Sequence, residues 1–141
     1  VIAIAVTSLT ALKKRLRSNE KKLFSRLISD SNTQASVRKL LRITLRLLSL
    51  ERVKKSVGET PVQFAQRIDE LYPNESGVDC VEAMVVFEKA EFSKADNLVI
   101  TDDERKLAFD FTKALSKIVV HDVKNPVVRF IRSYVMFRKI K

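Results

Sequence analysis

The chain reads as all-α: a small bundle of about four to five helices preceded by the end of a transmembrane helix. Three observations predict this. Glycine occurs only 2 times and proline 3 times in 141 residues, too few for a turn-rich β-sandwich or a glycine-rich phosphate loop, whereas residues of high helix propensity dominate. Apolar residues recur at spacings of three and four. Cap-forming residues stand where those periodic stretches begin. With 45% hydrophobic and 31% charged residues, the chain has enough apolar content to build one domain with a core.

Residues 1–12, VIAIAVTSLTAL, carry no charge, and Lys13, Lys14, Arg15 and Arg17 follow at once, with Lys21 and Lys22 behind them. Twelve helical residues span roughly 18 Å, short of a hydrocarbon core of roughly 30 Å, so this run cannot cross a bilayer alone. It is expected to be the end of a crossing helix, and the opening on Val rather than Met fits a fragment of a longer protein. A basic cluster directly after an apolar run is the positive-inside pattern of a cytoplasmic exit. A signal peptide would place its charges ahead of the apolar run. Residues 13–35 then read as a basic juxtamembrane segment and linker, ending in the polar string SDSNTQAS over 29–36.

The helical domain is expected over residues 36–122. Val37, Leu40, Leu41, Leu47, Leu48 and Val53 lie near one helical face with Thr44 inside the stripe, while Arg38, Arg42 and Arg46 form a solvated column. Gly58 suits a left-handed position that stops this helix. Thr60, Pro61 and Gln63 spell the start of the next, with a capping box and a proline at the first helical position. That helix turns Val62, Phe64, Ala65, Ile68 and Leu71 inward and stops at Tyr72-Pro73. After a turn at 74–77, Asp79 and Glu82 cap a helix bearing Val81, Met84, Val85, Phe87 and Ala90, with Phe92 near its end. Cys80 reads as a small packed hydrophobe. Beyond a loop at 93–100, Thr101 and Glu104 form another capping box, followed by Leu107, Ala108, Phe111, Ala114, Leu115, Ile118 and Val119. His121 falls at the helix end, where its simplest role is to complement the dipole. Asn125 and Pro126 restart a basic amphipathic helix over 123–141, either lying on a membrane surface or packed on the core.

Charge is segregated along the chain. Residues 1–57 hold 14 Lys/Arg against 3 Asp/Glu, residues 58–123 hold 7 against 14, and residues 124–141 hold 6 against none. Basic ends around an acidic middle predict that both ends meet one anionic surface.

The strings Gly58-Glu59-Thr60-Pro61, Phe64, Ala65 and Arg67, then Phe87-Glu88-Lys89-Ala90-Glu91-Phe92 and a closing amphipathic helix resemble the C-terminal domain of bacterial and archaeal transglutaminase-like membrane proteins. The resemblance covers residues 38–120. It implies a small cytoplasmic domain behind a last membrane helix, with Gly58, Glu59, Thr60, Pro61, Phe64, Phe87 and Phe92 in structural roles. It brings no catalysis with it. A transglutaminase-like site needs Cys, His and Asp held together, whereas Cys80 and His121 are single and 41 residues apart. No metal, cofactor or small-molecule substrate is expected, because ligand clusters and phosphate loops are missing from the sequence.

These readings converge on a non-catalytic, membrane-proximal, cytoplasmic helical domain that docks proteins or regulates a larger membrane protein. An anionic membrane surface is the expected partner of Lys13, Lys14, Arg15, Arg17, Lys21, Lys22, Arg129, Arg132 and Lys139, and a protein is the expected partner of the acidic middle. The alternative is a nucleic-acid-binding helical protein using the basic N-terminal half, against which the acidic middle and the lack of a reading motif both stand.

Overall fold

In the computed structural model, residues 1–72, 79–92 and 99–139 are described. Among them the fold is all-α, with α1 (Ile2–Ser29), α2 (Thr33–Leu50), α3 (Pro61–Leu71), α4 (Cys80–Phe92), α5 (Asp102–Ser116), a π-helical turn (Lys117–His121) and α6 (Pro126–Phe137). The expected turn at 74–77 and most of the loop at 93–100 lie outside the described residues. No described helix is long and apolar enough to cross a membrane.

Helix α2 is the centre of the bundle. It packs on α1, α4, α5, the π turn and α6, and it buries Val37, Leu40, Thr44, Leu47 and Leu48 as the periodicity predicts. Its ends depart from expectation. The start lies within the segment taken as a linker, where the Asn32 side chain accepts from the Ala35 N–H at 3.0 Å. The stop comes at Leu50, well before Gly58. Val53 N–H returns to Leu48 O at 2.9 Å and Arg52 N–H to Ser49 O at 3.1 Å, the paired bonds of a Schellman motif whose left-handed position is filled by Arg52 at φ 57°. Gly58, at φ 80°, instead occupies the third position of a separate turn that Glu59 N–H closes on Ser56 O at 3.1 Å.

Residues 13–29, read as a basic juxtamembrane segment running into the linker, are helical and contribute to the core. Under its charges the first helix carries Leu12, Leu16, Leu23, Phe24 and Leu27 at helical spacing, and Leu16, Phe24 and Leu27 are buried in the common core. Phe24 meets Phe109 edge to face with centroids 5.6 Å apart. Residues 1–11, by contrast, are exposed throughout, so α1 is one helix with a free apolar first half and a docked basic second half.

Two of the three capping boxes form as read, Thr60 with Gln63 and Thr101 with Glu104, whereas among the described residues the Glu82 side chain makes no bond and Asp79 caps α4 without it. At α4 the start is reinforced from outside, since Asp79 accepts from Val81 N–H and Asp69 of α3 accepts from Cys80 N–H at 2.9 Å. Several expected core positions are exposed instead: Val62 and Leu71 in α3, and Val85 and Phe92 in α4. Among the described elements helix α3 packs only on α4, so one narrow stripe, Phe64, Ala65 and Ile68, suffices for it. In the last stretch of α5 the hydrogen bond of Asp122 N–H to Lys117 O, 2.8 Å, spans five residues. That π turn inserts one residue into the helical count, so Val119 and Val120 are buried while Ile118 turns outward.

Among the described residues six polar ones are buried: Asn19, Ser36, Thr44, Arg105, Thr112 and Ser116. Each is bonded across an element boundary. Ser36 donates to Leu27 O of α1, Asn19 Nδ2 donates to Phe137 O of α6 at 2.8 Å, Ser116 Oγ lies 3.3 Å from Glu20 Oε1, and Arg105 reaches Asp30 O in the α1–α2 connection. Thr44 and Thr112 join α2 to α5 at 3.0 Å. Because the Thr112 hydroxyl already donates to Ala108 O at 2.9 Å, Thr44 is the donor of the pair.

The direction of this bond predicts an asymmetry in denaturation experiments. Thr112→Val strands the buried Thr44 donor and should cost about 1–3 kcal/mol, whereas Thr44→Val leaves Thr112 bonded and should cost less; the double variant should be no worse than Thr112→Val alone. A larger cost for Thr44→Val would reverse the donor assignment. At the two positive-φ positions the signs should oppose. A Cβ at Gly58 would meet nothing within 4 Å, so Gly58→Ala should lose only the backbone preference, about 1–2 kcal/mol. Arg52→Gly should gain a few tenths to about 1 kcal/mol by relieving the same strain, net of glycine's larger unfolded-state entropy.

Candidate membrane-facing surface

The uncharged start of α1 stands clear of the bundle. Val1, Ile2, Ile4, Val6 and Leu9 are all exposed, with Ile4 at 72% and Val6 at 59%. Its threonines do not make it polar, because Thr7 Oγ1 donates to Ala3 O at 2.7 Å and Thr10 Oγ1 to Val6 O at 2.9 Å. Each hydroxyl is satisfied inside the helix and presents a methyl outward.

At the base of this projection α6 is docked beside α1. Met136 and Phe137 are buried and Phe130 is partly buried against the core, so the closing helix is a packed member of the bundle. It still exposes Val127, Ile131, Tyr134 and Val135, a second apolar strip next to the first. The residue that locks it in place is Arg132, whose guanidinium donates to Glu51 at 2.8 Å and to Val119 O at 2.9 Å. With its side chain 18% exposed, Arg132 is a clamp between α6, the end of α2 and the π turn, which sets it apart from the more exposed cations expected at the membrane.

The remaining predicted cations are exposed, and the fold sorts them. Lys13, Lys14 and Arg17 line one groove with Arg129 of α6, a space of about 370 Å³ walled also by Thr10, Leu16, Phe130, Ser133 and His121. Arg15 and Lys139 share a recess with Arg138, whose guanidinium lies 5.7 Å from the Tyr134 ring centroid. Lys21 lies with Arg17, Lys113 and Lys117 in a wider groove of about 760 Å³ between α1 and α5. Lys22 is exposed and lines none of these three. Sequence reading missed Lys113 and Lys117, which the α1–α5 packing brings to the same side as Arg17.

His121 sits between two of these grooves. It lies in the last helical turn as expected, and its Nε2 is also 2.9 Å from both Glu20 oxygens, which adds a helix-to-helix pair. The Glu20 hydrogen bond raises the His121 pKa against the opposing effect of burial, with the charge of Glu20 adding to the rise and that of Arg17 opposing it.

The family-like string has a structural task. Glu59 accepts from Ser56 N–H at 3.0 Å and takes both Arg67 Nε and Nη2 at 3.0 Å, while Arg67 also caps Lys54 O at 2.6 Å. The Arg67 guanidinium rests 5.3 Å from the Phe64 ring centroid. This fork, followed by Ser56 N–H, holds Glu59 below the usual carboxylate range, and together they latch the α2–α3 connection onto α3. Phe87 is buried and meets Phe111 edge to face, whereas Phe92 is 74% exposed. Burial pushes the Cys80 thiol up to about 12, with Asp69 and Asp79 adding to the rise, so the group stays a neutral thiol at neutral pH. Among the described residues no three His, Cys, Asp or Glu side chains are placed to hold a metal ion.

The acidic middle is partly consumed by the fold. Glu59 pairs with Arg67, Asp102 with Arg105, and Glu104 with Lys89 at 3.0 Å. Glu70, Glu82, Glu91 and Asp103 remain exposed.

The Glu20–His121 pair sets a pH prediction. A raised folded pKa means its stabilisation is fully present below the ordinary histidine value of about 6.5 while Glu20 is ionised, and is lost as pH rises through the folded value. The ring is more than a third exposed, so the contribution should stay below about 1 kcal/mol. Glu20→Gln should lower the His121 pKa in an NMR titration and remove the excess stability near pH 6 but not above pH 8; an unchanged titration would break the assignment.

Comparison with known protein families, curated proteins and solved structures finds no match to the chain.

Proposed function

We propose that this chain is a non-catalytic, membrane-proximal domain that sits on the cytoplasmic face of a bilayer as a docking or regulatory module of a larger membrane protein. One observation carries the reading: an exposed, uncharged helical projection rises from a base ringed with cations. Residues 2–12 of α1 reach roughly 17 Å, enough to enter about half of a hydrocarbon core of roughly 30 Å. Every side chain on that length is apolar, small, or a hydroxyl, and none packs on the bundle except Leu12 at its foot. In water such a surface is unfavourable, at about 25 cal/mol for each Å² of apolar area exposed. In lipid it is at home.

The cations stand where headgroups would lie. Lys13, Lys14, Arg15 and Arg17 begin one residue beyond the apolar stretch, and α6 brings Arg129, Arg138 and Lys139 to the same base. Near an anionic leaflet each is worth about 1 kcal/mol before screening, and the sign of the cluster supports the cytoplasmic side. The resemblance of Gly58-Glu59-Thr60-Pro61 to the cytoplasmic domain of transglutaminase-like membrane proteins supports the same address. Exposed Glu70, Glu82, Glu91 and Asp103, repelled by such a surface, are the groups left for a basic protein partner.

The test is co-sedimentation of the chain with vesicles. Binding should require anionic lipid, weaken with salt, and fall by tenfold or more in Ile4→Asp/Val6→Asp, because a carboxylate at bilayer depth costs about 2.5–3.5 kcal/mol. Since Ile4 and Val6 touch no core residue, the melting temperature of that variant should not change. Vesicle binding that survives the substitution, or none by the parent chain, rejects the proposal.

A further inference from the structure

The groove between α1 and α6 is set apart from the other cation-lined grooves by Thr10, which brings the exposed apolar start of α1 into its wall. Among the described residues Lys13, Lys14, Arg17 and Arg129 line it and no carboxylate does, as in the Arg15 recess and in a groove lined by Lys39, Arg42 and Arg46, whereas the wider α1–α5 groove mixes its cations with Glu20 and Asp110. None of the four cations is in an ion pair among the described residues. Glu20, the acid closest to them in sequence, is turned to His121 and Ser116.

We infer that this groove binds the phosphate of one anionic phospholipid headgroup, with the acyl chains lying along residues 2–12 of α1. The inference rests on the membrane-facing reading and names the ligand of that surface. Its floor is apolar, formed by Leu16 and Phe130, and its volume of about 370 Å³ falls within the roughly 300–1,000 Å³ of small-molecule sites. Ser133 adds a hydroxyl to the wall. The first amides of α6 are already taken, Val127 and Val128 both donating to Asn125, so recognition falls to the side chains. Two lysine point charges and two arginine forks suit a phosphate, which accepts both single and paired donors. At the rim Thr10 has its hydroxyl bonded inward to Val6 O, so the groove opens directly onto apolar helix. That junction of anion site and apolar wall is what separates a lipid from a free anion.

The experiment uses the full chain and three soluble probes: dihexanoyl phosphatidic acid below its micelle concentration, dihexanoyl phosphatidylcholine, and inorganic phosphate. Calorimetry or NMR shifts should show saturable binding of the phosphatidic acid, tighter than that of phosphate and much tighter than that of the choline lipid. Lys14→Gln/Arg129→Gln should weaken it about tenfold or more, as loss of two charge-assisted contacts implies. Lys39→Gln/Arg42→Gln removes the same charge elsewhere and should leave it within about twofold. Arg129→Lys, which keeps charge but loses the fork, should fall between, and thermal melts of all variants show whether each is folded. Equal losses in the two double variants would overturn the site in favour of diffuse attraction. Phosphate binding as tightly as the lipid would overturn the lipid assignment. If vesicles bind the chain but no soluble headgroup saturates it, the groove is rejected while the membrane reading stands; if soluble lipid saturates the groove but vesicles do not bind, the reverse holds.

Discussion

A buried hydroxyl, amide or guanidinium without a partner costs about 1–3 kcal/mol, and that constraint sets how the helices of this bundle stand against one another. Apolar surfaces slide with little change in area. Polar sutures do not. Sliding α5 one turn along α2, about 5.4 Å, would part Thr44 from Thr112, and the same movement would draw Ser116 from Glu20 and Arg105 from the Asp30 carbonyl. Ser36 and Asn19 fasten α1 to α2 and to α6 in the same way. The relative height of α1 follows from these bonds, and with it the meeting of Lys13, Lys14 and Arg17 with Arg129.

The two halves of α1 depend on each other through helix cooperativity. An isolated stretch of eleven residues is marginal as a helix in water, because nucleation is costly and propagation gains little per residue. Here the turns from Leu12 to Leu27 are held by burial, so the apolar turns ahead of them extend a helix that already exists. Their rigidity is borrowed from packing elsewhere. A projection that keeps its threonine hydroxyls bonded and its direction fixed would need no ordering to enter lipid, as the proposed function has it.

What was legible in the sequence was local. Thr60 with Gln63, Thr101 with Glu104, and Asn125 with Pro126 each act within four residues, and each forms as read. The periodic stripe of α2 was equally clear, since 3.6-residue spacing is a property of the helix alone. The core-facing stripe of α1 was present too, at Leu12, Leu16, Leu23, Phe24 and Leu27, but the charges between those residues disguised it as a linker. Other features had no local sign. The stop at Leu50 uses Arg52 where glycine is usual, and the π turn is dictated by how Val119 and Val120 fit the core. Arg132 reads as one more surface cation until Glu51 is placed opposite it, 81 residues away. Exposed cations were found by composition, but their grouping into separate grooves depends on tertiary packing that no spacing encodes.

The bond from Asn19 to the carbonyl of Phe137 joins residues 118 apart, and Glu20 and His121 are 101 apart. Closing so wide a loop costs entropy before it returns any contact, though only slowly more with each added residue. The α2–α5 and α3–α4 pairings need shorter closures, so they are placed to form first and the α1–α6 layer last. On a ribosome the order is stricter, because α6 emerges after every other element. Until then Leu16 lacks the α6 side of its cover, and the nascent chain presents the apolar start of its first helix before that partner exists. On the membrane-facing reading proposed above, that delay is an order of events, in which lipid would meet the first helix before the rest of the bundle closes around its foot.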